Sequence, residues 1–180
     1  MSVELICHTA TPSHNVQSVA VDASCDKQGQ MWLRYHVECD LESLQLPNEV
    51  DPGRSDGLWK TTCFEVFITN DSKKYAELNF APSSLWAAYM FDGYRAGMKP
   101  LQLTCDPVIG LDVSDSHFAL EADLRLPTMW AGHDLRLALS AVIEEVDGTK
   151  SYWALKHPPG APDFHHPDCF ALHLGAPDIA

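Results

Sequence analysis

Apolar and polar residues alternate with a period of two along much of the chain, which is the pattern of half-buried β-strands. The alternation is clearest at residues 30–39, 118–126 and 135–146, where leucine, valine and alanine alternate with charged or polar residues. Further strands are predicted at residues 2–8, 16–25, 151–157 and 169–174. Stretches containing glycine and proline separate these segments, and apart from a single helical turn expected at residues 127–132, no segment has the period of a helix.

Three apolar segments in the middle of the chain, residues 59–68, 75–82 and 85–92, are predicted to form an antiparallel meander. A hairpin closed through residues 71–74 would place Glu65 near Asn79 and Phe67 near Glu77 on one face of the sheet. One face of this meander is purely apolar, whereas the other mixes carboxylate, amide and aromatic side chains. We predict that the mixed face is a binding surface.

About ten short strands with glycine and proline turns favour an all-β fold, a single-domain antiparallel β-sandwich that is jelly-roll-like. The 180 residues show no shift in composition, so we predict one domain over residues 1–180. Two long connections, residues 47–58 and 158–168, lie beside the aromatic segments. Loops of this length in a compact domain are usually functional or mobile.

Charge and hydropathy narrow the choice of partner. The formal net charge is −13, which argues against nucleic acid and anionic membranes, because both need a basic surface. No segment approaches the roughly 18 apolar residues of a membrane span, and the N-terminus lacks the features of a signal peptide. The six cysteines are widely spaced and form no CxxC pair, so we expect free thiols and a cytoplasmic protein.

An ordered set of motifs runs from about Arg54 to the end of the chain. It comprises the segment 59–68 with Glu65, Tyr75-x-Glu77-x-Asn79-x-x-Pro82, Trp86-Ala87-Ala88-Tyr89 before Tyr94-Arg95-x-Gly97-Met98, and Tyr152-Trp153-Ala154-Leu155 before Pro162-Asp163-Phe164-His165. Together these motifs resemble the DOMON-like superfamily, specifically small bacterial proteins related to family-nine carbohydrate-binding modules. The resemblance implies a β-sandwich that binds a ligand, with sugars and haem as the two ligand classes of the superfamily.

In the carbohydrate-binding members two tryptophans sandwich a sugar, and Trp59 and Trp153 occupy similar positions beside long loops. We therefore predict a non-catalytic domain that binds a carbohydrate or a sugar derivative, with aromatic rings against the sugar and polar groups on its hydroxyls. Trp59 and Trp153 are expected to stack on the ligand, with polar contacts from Glu65, Asn79, Arg95 and Lys156 and an outer tier of Arg54, Lys60, Tyr89 and His165. Because the chain has no attached hydrolase and no secretion signal, we do not expect a role in degrading external polysaccharide.

Simpler structural roles compete with these assignments. Most tryptophans in a sandwich belong to the core, and we favour that role for Trp86 and Trp32. Glu65 and Asn79 share a predicted face, so a structural hydrogen bond between the two side chains is an alternative to ligand binding.

Other functions stay open. A haem-binding module is the main alternative, with His36, His157, Met31, Met90 and Met98 as the available axial ligands. Glu65 and Glu77 on paired strands could serve as the two carboxylates of a glycosidase. A partner-binding domain is a further alternative.

A metal site is also conceivable from the sequence. The loop with His157, His165, His166 and Asp168 could hold a metal ion. The resemblance allows a structural calcium, but no calcium loop is recognisable, and we predict no required cofactor.

Overall fold

The structure, a computed structural model, describes residues 1–70 and 73–175. Within them the chain forms thirteen strands: β1 Ser2–Cys7, β2 Val16–Cys25, β3 Gln30–Cys39, β4 Gly53–Arg54, β5 Cys63–Thr69, β6 Tyr75–Phe80, β7 Leu85–Phe91, β8 Lys99–Pro100, β9 Val108–Val113, β10 His117–Arg125, β11 Leu135–Glu144, β12 Lys150–Ala154 and β13 Leu172–Leu174. Three short 3-10 helices span Leu41–Ser43, Leu58–Lys60 and Pro167–Cys169. The all-β prediction is therefore confirmed, although the turn expected at residues 71–74 lies partly outside the described residues.

The hydrogen-bonded strands form one continuous curled sheet rather than two separate sheets. Its order is β4-β7-β6-β5-β11-β12-β1-β2-β3-β10-β9, with β8 added to β7 and β13 added to β11. Every pairing is antiparallel except that of β4 with β7. Strand β1 joins the two halves, because Ser2 to Leu5 pair with β2 while Ile6 and Cys7 pair with β12. The predicted sandwich is thus corrected to a half-barrel in which a shared strand carries the hydrogen bonding from one half to the other.

The main apolar core lies between the two halves of this sheet. Tyr35 of β3 packs against Phe64 of β5 with 5.0 Å between the ring centroids, and Phe64 contacts Phe118 of β10. The Tyr35 hydroxyl also donates a hydrogen bond to the backbone carbonyl of Glu65 at 2.7 Å. The inward-facing residues of both halves therefore form a single core, as the alternating pattern predicted.

Strands β5, β6 and β7 are buried on their outer face as well. A second apolar cluster covers this face, and it includes Phe67, Tyr75, Tyr89 and Phe91 from the strands and Phe164, Cys169 and Phe170 from the segment after β12. All seven residues of β5 are buried as a result. The polar residues of the mixed face are consequently enclosed rather than solvated, so a functional site is expected on this outer face.

Local predictions compare with the structure as follows. Residues 127–132 form hydrogen-bonded turns, in which the Trp130 N–H donates to the Pro127 carbonyl at 3.0 Å, and Trp130 is buried in the core. The last strand begins at Leu172 because residues 167–169 adopt a 3-10 helix. Strand β9 was not expected, since Val108 and Val113 are exposed at an edge of the sheet and the segment has no buried face to produce alternation.

The predicted core tryptophans divide as follows. Trp86 belongs to the main core, as expected, whereas Trp32 is half-buried on β3. All six cysteines lie within the described residues and are free thiols, which confirms that prediction. Over the same residues, no helix is long and apolar enough to cross a membrane.

Candidate ligand-binding site

A cavity of about 480 Å³ opens on the outer face of the sheet, and we call it the outer cavity. Its lining combines aromatic, aliphatic and ionisable side chains: Trp59, Glu65, Phe67, Glu77, Phe91, Arg95, Met98, Val142, Tyr152, Pro162, Phe164 and His165. The volume lies within the range of about 300–1,000 Å³ that is typical of small-molecule sites. Mostly apolar walls around a few polar groups are the usual composition of such sites.

Strand register brings the polar groups of the outer cavity together. Glu65 pairs directly with Asn79 of β6 and with Ser140 of β11, while Phe67 pairs with Glu77. Both cross-strand pairs of the predicted hairpin are thereby confirmed. Side chains of directly opposed residues in neighbouring strands lie on the same face, so the two carboxylates are close neighbours. We call the part of the cavity lining formed by Glu65 and Glu77 the floor.

The hydrogen bonds of the floor differ from the predicted alternative. Ser140 Oγ donates to Glu65 Oε2 at 3.0 Å, and Asn79 Nδ2 donates to Glu77 Oε1 at 2.9 Å. The alternative hydrogen bond between Glu65 and Asn79 is not formed; the two side chains have other partners. Asn79 and Glu77 are two residues apart on one strand and share a face, which lets the amide reach Glu77 instead.

Burial changes the protonation of both carboxyl groups. Glu65 is 3% exposed, and this burial, together with the charge of Glu77, raises the pKa of Glu65 to about 8 despite the hydrogen bond from Ser140. Burial also raises the pKa of Glu77, although the Asn79 hydrogen bond and the charge of Arg95 oppose the change. Because desolvation disfavours a charged carboxylate, Glu65 is a neutral acid at pH 7 and can donate a hydrogen bond.

His165 lies beside Glu77 in its neutral form. Burial and, to a smaller extent, the positive charge of Arg95 lower the pKa of His165 to about 4, although the charge of Asp163 opposes the change. The Tyr75 oxygen accepts the backbone N–H of Arg95 at 3.2 Å, so its own hydrogen is free to be donated to His165 Nδ1 at 2.8 Å. This assignment places the ring hydrogen on Nε2, which lies 3.7 Å from Glu77 Oε2.

Arg95 is held by the loop that follows β12. Its Nε and Nη2 atoms donate to Asp163 Oδ1 at 3.2 and 2.7 Å, and the Tyr94 hydroxyl donates to Asp163 Oδ2. Burial alone would raise the pKa of Asp163, but the hydrogen bonds from Tyr94 and Arg95 outweigh it and lower that pKa. This cluster joins the segment after β7 to the loop that carries Phe164 and His165.

Trp59 forms an exposed wall of the outer cavity. Gly57, with a φ of +79°, turns the chain into the 3-10 helix Leu58–Lys60 that carries the indole, which is 39% exposed. Its ring meets Tyr89 edge-on at 6.2 Å, and the Tyr89 hydroxyl donates to Asp56 Oδ1 at 2.6 Å. The Arg54 guanidinium lies over the Tyr89 ring, 5.2 Å from its centroid.

The structure brings only part of the predicted site together. Four predicted residues line the outer cavity: Trp59, Glu65, Arg95 and His165. Asn79 is fully buried beside Glu77, and Arg54 and Tyr89 support Trp59 from behind. Lys60 is exposed next to Trp59 but does not line the cavity.

The remaining two predicted residues, Trp153 and Lys156, lie away from the outer cavity. Trp153 is 6% exposed and belongs to the main core, where its Nε1 donates to Ser151 Oγ at 2.9 Å. Lys156 lines a separate surface pocket with His8 and His157. A strand exposes alternate residues to opposite faces, so it is Tyr152, adjacent to Trp153, that reaches the outer cavity.

Sequence reasoning also missed several wall residues: Phe67, Phe91, Met98, Val142, Tyr152, Pro162 and Phe164. A usable signal existed for two of them. Phe67 was already placed on the same face as Glu65, and Phe164 immediately precedes His165 in a recognised motif. Val142 and Tyr152 form a cross-strand pair, and only the register of β12 on β11 reveals that this pair faces the cavity.

The histidine loop is not arranged as a metal site. His157 contacts the backbone carbonyl of Ile6 through Nε2 at 2.7 Å, while His166 accepts the backbone N–H of Asp168 through Nδ1. In residues 1–70 and 73–175, no three histidine, cysteine, aspartate or glutamate side chains are grouped as metal ligands. Among the five residues considered as haem ligands, Met98 lines the outer cavity and the other four do not.

Comparison with known proteins identifies the fold. No protein-family model and no curated protein matches the chain. A candidate carbohydrate-binding protein from Bacteroides uniformis superposes with a TM-score of 0.68 at 12% identity, over 93% of this chain and 83% of the other. A family-nine carbohydrate-binding module from Caldicellulosiruptor kristjanssonii superposes with TM-scores of 0.50 in its glucose complex and 0.51 in its cellotriose complex, each at 11% identity. These alignments cover 84% and 88% of this chain and 72% and 75% of the module. The chain thus shares its fold with carbohydrate-binding modules.

Proposed function

We propose that this protein binds a carbohydrate or a sugar derivative in the outer cavity and performs no chemistry on it. The observation that carries this proposal is the composition of the cavity, in which aromatic rings stand beside buried polar groups. Sugars combine apolar C–H faces with hydroxyl groups, and both halves of that chemistry are matched here.

Each part of the lining has a role in this proposal. Trp59 and Tyr152 offer rings on which a sugar face stacks. Neutral Glu65 can donate and accept hydrogen bonds, and Glu77 and Arg95 add an acceptor and a donor. Because Arg54, Tyr89 and Asp56 hold the Trp59 wall, much of the site is formed before a ligand arrives.

We further propose that the chain is a member of the DOMON-like superfamily and that residues 1–180 form one domain. The ordered motifs from Arg54 onward support the first point, and the fold shared with family-nine modules is consistent with it. The continuous sheet supports the second.

Thermal shift followed by calorimetry tests the binding proposal. The panel contains glucose, cellotriose, amino and acidic sugars, nucleotide sugars and haemin, since any ligand of the native state raises the melting temperature. We expect a sugar to bind, and Trp59→Ala and Tyr152→Ala to weaken that binding at least about tenfold, a cost of roughly 1.4 kcal/mol. Trp32→Ala is the matched control, because this half-buried tryptophan lies on β3, outside the cavity.

Three results would overturn the proposal. Binding of haemin alone, with a Soret band, would assign the cavity to haem. No change in melting temperature with any compound of the panel would show that the protein does not bind these sugars. Equal losses in the cavity variants and in Trp32→Ala would show that the ligand binds elsewhere.

Glycoside hydrolysis is a second candidate function, favoured by one observation. Glu65 and Glu77 both line the cavity with raised pKa values, and a glycosidase needs one protonated and one ionised carboxyl group. Release of nitrophenol from nitrophenyl glycosides, abolished by Glu65→Gln or Glu77→Gln, would establish hydrolysis. We expect no release.

A further inference from the structure

The floor of the outer cavity is rich in hydrogen-bond acceptors that the protein itself does not satisfy. Among the described residues, Ser140 is the one hydrogen-bond donor to the Glu65 carboxyl group. Glu77 receives one amide hydrogen from Asn79, and its Oε2 atom lies 3.7 Å from His165 Nε2, beyond hydrogen-bond distance. The Oδ1 atom of Asn79 also has no hydrogen-bond partner within the described residues, but Asn79 is fully buried and does not line the cavity, so the acceptors open to a ligand are the carboxyl oxygens of Glu65 and Glu77. Buried acceptors without donors are costly, so a ligand that supplies donors is favoured here.

No lysine or arginine forms a salt bridge with the carboxyl groups of the floor, Glu65 and Glu77, in the described part of the chain. Arg95 lines the cavity, but two of its guanidinium nitrogens donate to Asp163. His165, whose Nε2 lies 3.7 Å from Glu77 Oε2, is neutral at pH 7. The cavity therefore combines two carboxyl groups with no dedicated counter-ion.

The walls suit a cation as well. Trp59, Phe67, Phe91, Tyr152 and Phe164 surround the same space, and the faces of such rings attract ammonium groups. A primary ammonium has three donors and one positive charge, which matches the unsatisfied acceptors and the carboxyl pair together.

We propose that the ligand of the outer cavity is an amino sugar, whose protonated primary amine lies on the floor between Glu65 and Glu77. This inference rests on the proposed sugar-binding function and specifies its ligand class. The remaining sugar ring then packs against the aromatic walls, as in the general proposal.

Proton release is a direct consequence of this arrangement. Glu65 is protonated at neutral pH, and an ammonium group beside it favours the carboxylate, so binding expels a proton to the buffer. The titratable and charged groups around the pair come from several elements: Cys63 on β5, Tyr35 on β3, Tyr75 on β6, Tyr89 on β7, Arg95 and Asp163 in the loops, and His165. None of these surrounding groups changes protonation state between pH 6 and 7, because the pKa values of His165 and Asp163 are lowered and those of the tyrosines, Cys63 and Arg95 are raised.

Calorimetry with four sugars tests the inference on the full chain. D-glucosamine, D-glucose, N-acetyl-D-glucosamine and D-glucuronate are titrated at pH 6.5, where most of the amine is charged. We expect glucosamine to bind at least about tenfold more tightly than glucose, N-acetylglucosamine to lose that gain, and glucuronate to bind most weakly. The observed enthalpy of glucosamine binding should also differ between phosphate and Tris buffers, because a proton is released, while that of glucose should not.

Variants locate the effect within the cavity. Glu65→Gln keeps the shape of the side chain and removes its ionisation, so the ratio of glucosamine affinity to glucose affinity should fall about tenfold. Glu38→Gln is a matched control, since Glu38 also accepts a serine hydroxyl, that of Ser18 at 2.8 Å, but on the exposed surface of β3.

The outcomes separate this inference from the general function. Equal affinities for glucose and glucosamine would support sugar binding but would contradict recognition of the amine. A preference for glucuronate would assign the site to Arg95 and overturn it too. If none of the four sugars bound, the sugar-binding proposal itself would be contradicted, and with it the inference about the amine.

Discussion

Glu65 shows how one position couples the fold to the chemistry of the cavity. It lies on the central strand β5, between Asn79 of β6 and Ser140 of β11, and its own backbone carbonyl accepts the Tyr35 hydroxyl from the opposite half of the sheet. A surface carboxylate would ionise freely, whereas this one is enclosed on both faces and is protonated at pH 7. The same burial that completes the core therefore sets the protonation state of the floor.

The raised pKa of Glu65 predicts how stability varies with pH. The folded state, with a pKa of about 8, retains a proton that the unfolded state releases near pH 4.5. The stabilising contribution of this proton is therefore complete below pH 4.5 and is lost as the pH rises toward 8, by at most about 1.4 kcal/mol per pH unit. Glu65→Gln should lose less stability than the wild type as the pH rises, because the proton on Glu65 no longer contributes.

Urea unfolding of the wild type and of Glu65→Gln from pH 6.5 to 8 measures this difference. The range avoids His165, whose lowered pKa makes the folded state lose stability only as the pH falls from 6.5 toward 4. Glu38→Gln serves as the surface control and should follow the wild type. Parallel curves for the wild type and Glu65→Gln would show that Glu65 is ionised in the folded protein.

At the scale of elements, the hairpin of β5 and β6 was predictable and the face of β12 was not. The pairs Glu65–Asn79 and Phe67–Glu77 followed from a short turn and a period of two, both of which are local properties. The orientation of Trp153 depends instead on its pairing with Ala141 of β11 and Cys7 of β1, which are distant in sequence. Motif position therefore indicated the segment that reaches the outer cavity, but only the register shows that Tyr152, and not the adjacent Trp153, lines it.

Neighbouring substitutions on β12 test this assignment of faces. Trp153→Ala removes a core side chain and should cost about 3–5 kcal/mol of unfolding free energy. Tyr152→Ala removes a half-buried wall of the cavity and should cost about 1 kcal/mol while weakening sugar binding. Urea denaturation and calorimetry on the two proteins check both halves. If Trp153→Ala instead lost sugar binding with only a small loss of stability, Trp153 would be a ligand-binding residue and not a core residue.

At the scale of the whole molecule, alternation revealed the strands but not how the sheet closes. Strand β1 splits its hydrogen bonds between β2 and β12, and nothing in its six residues distinguishes this from ordinary pairing. The enclosure of the mixed face by Phe164 and Phe170 likewise depends on a loop that packs back from the far end of the chain. Local periodicity carries no information on either arrangement, whereas composition and turn residues were sufficient for the all-β class.

The net charge of −13 gives the whole molecule a role in attracting the proposed ligand. Twenty-five acidic and twelve basic residues create a negative field that reaches about 30 Å at 0.01 M salt and about 8 Å at 0.15 M. Raising the salt over this range should therefore weaken glucosamine binding about threefold, because long-range attraction is screened, while contacts on the buried floor persist. Glucose carries no charge, so its affinity should stay constant and serves as the control. Calorimetric titrations at both salt concentrations measure the two responses, and an unchanged affinity for glucosamine would mean that the surface field does not reach the cavity.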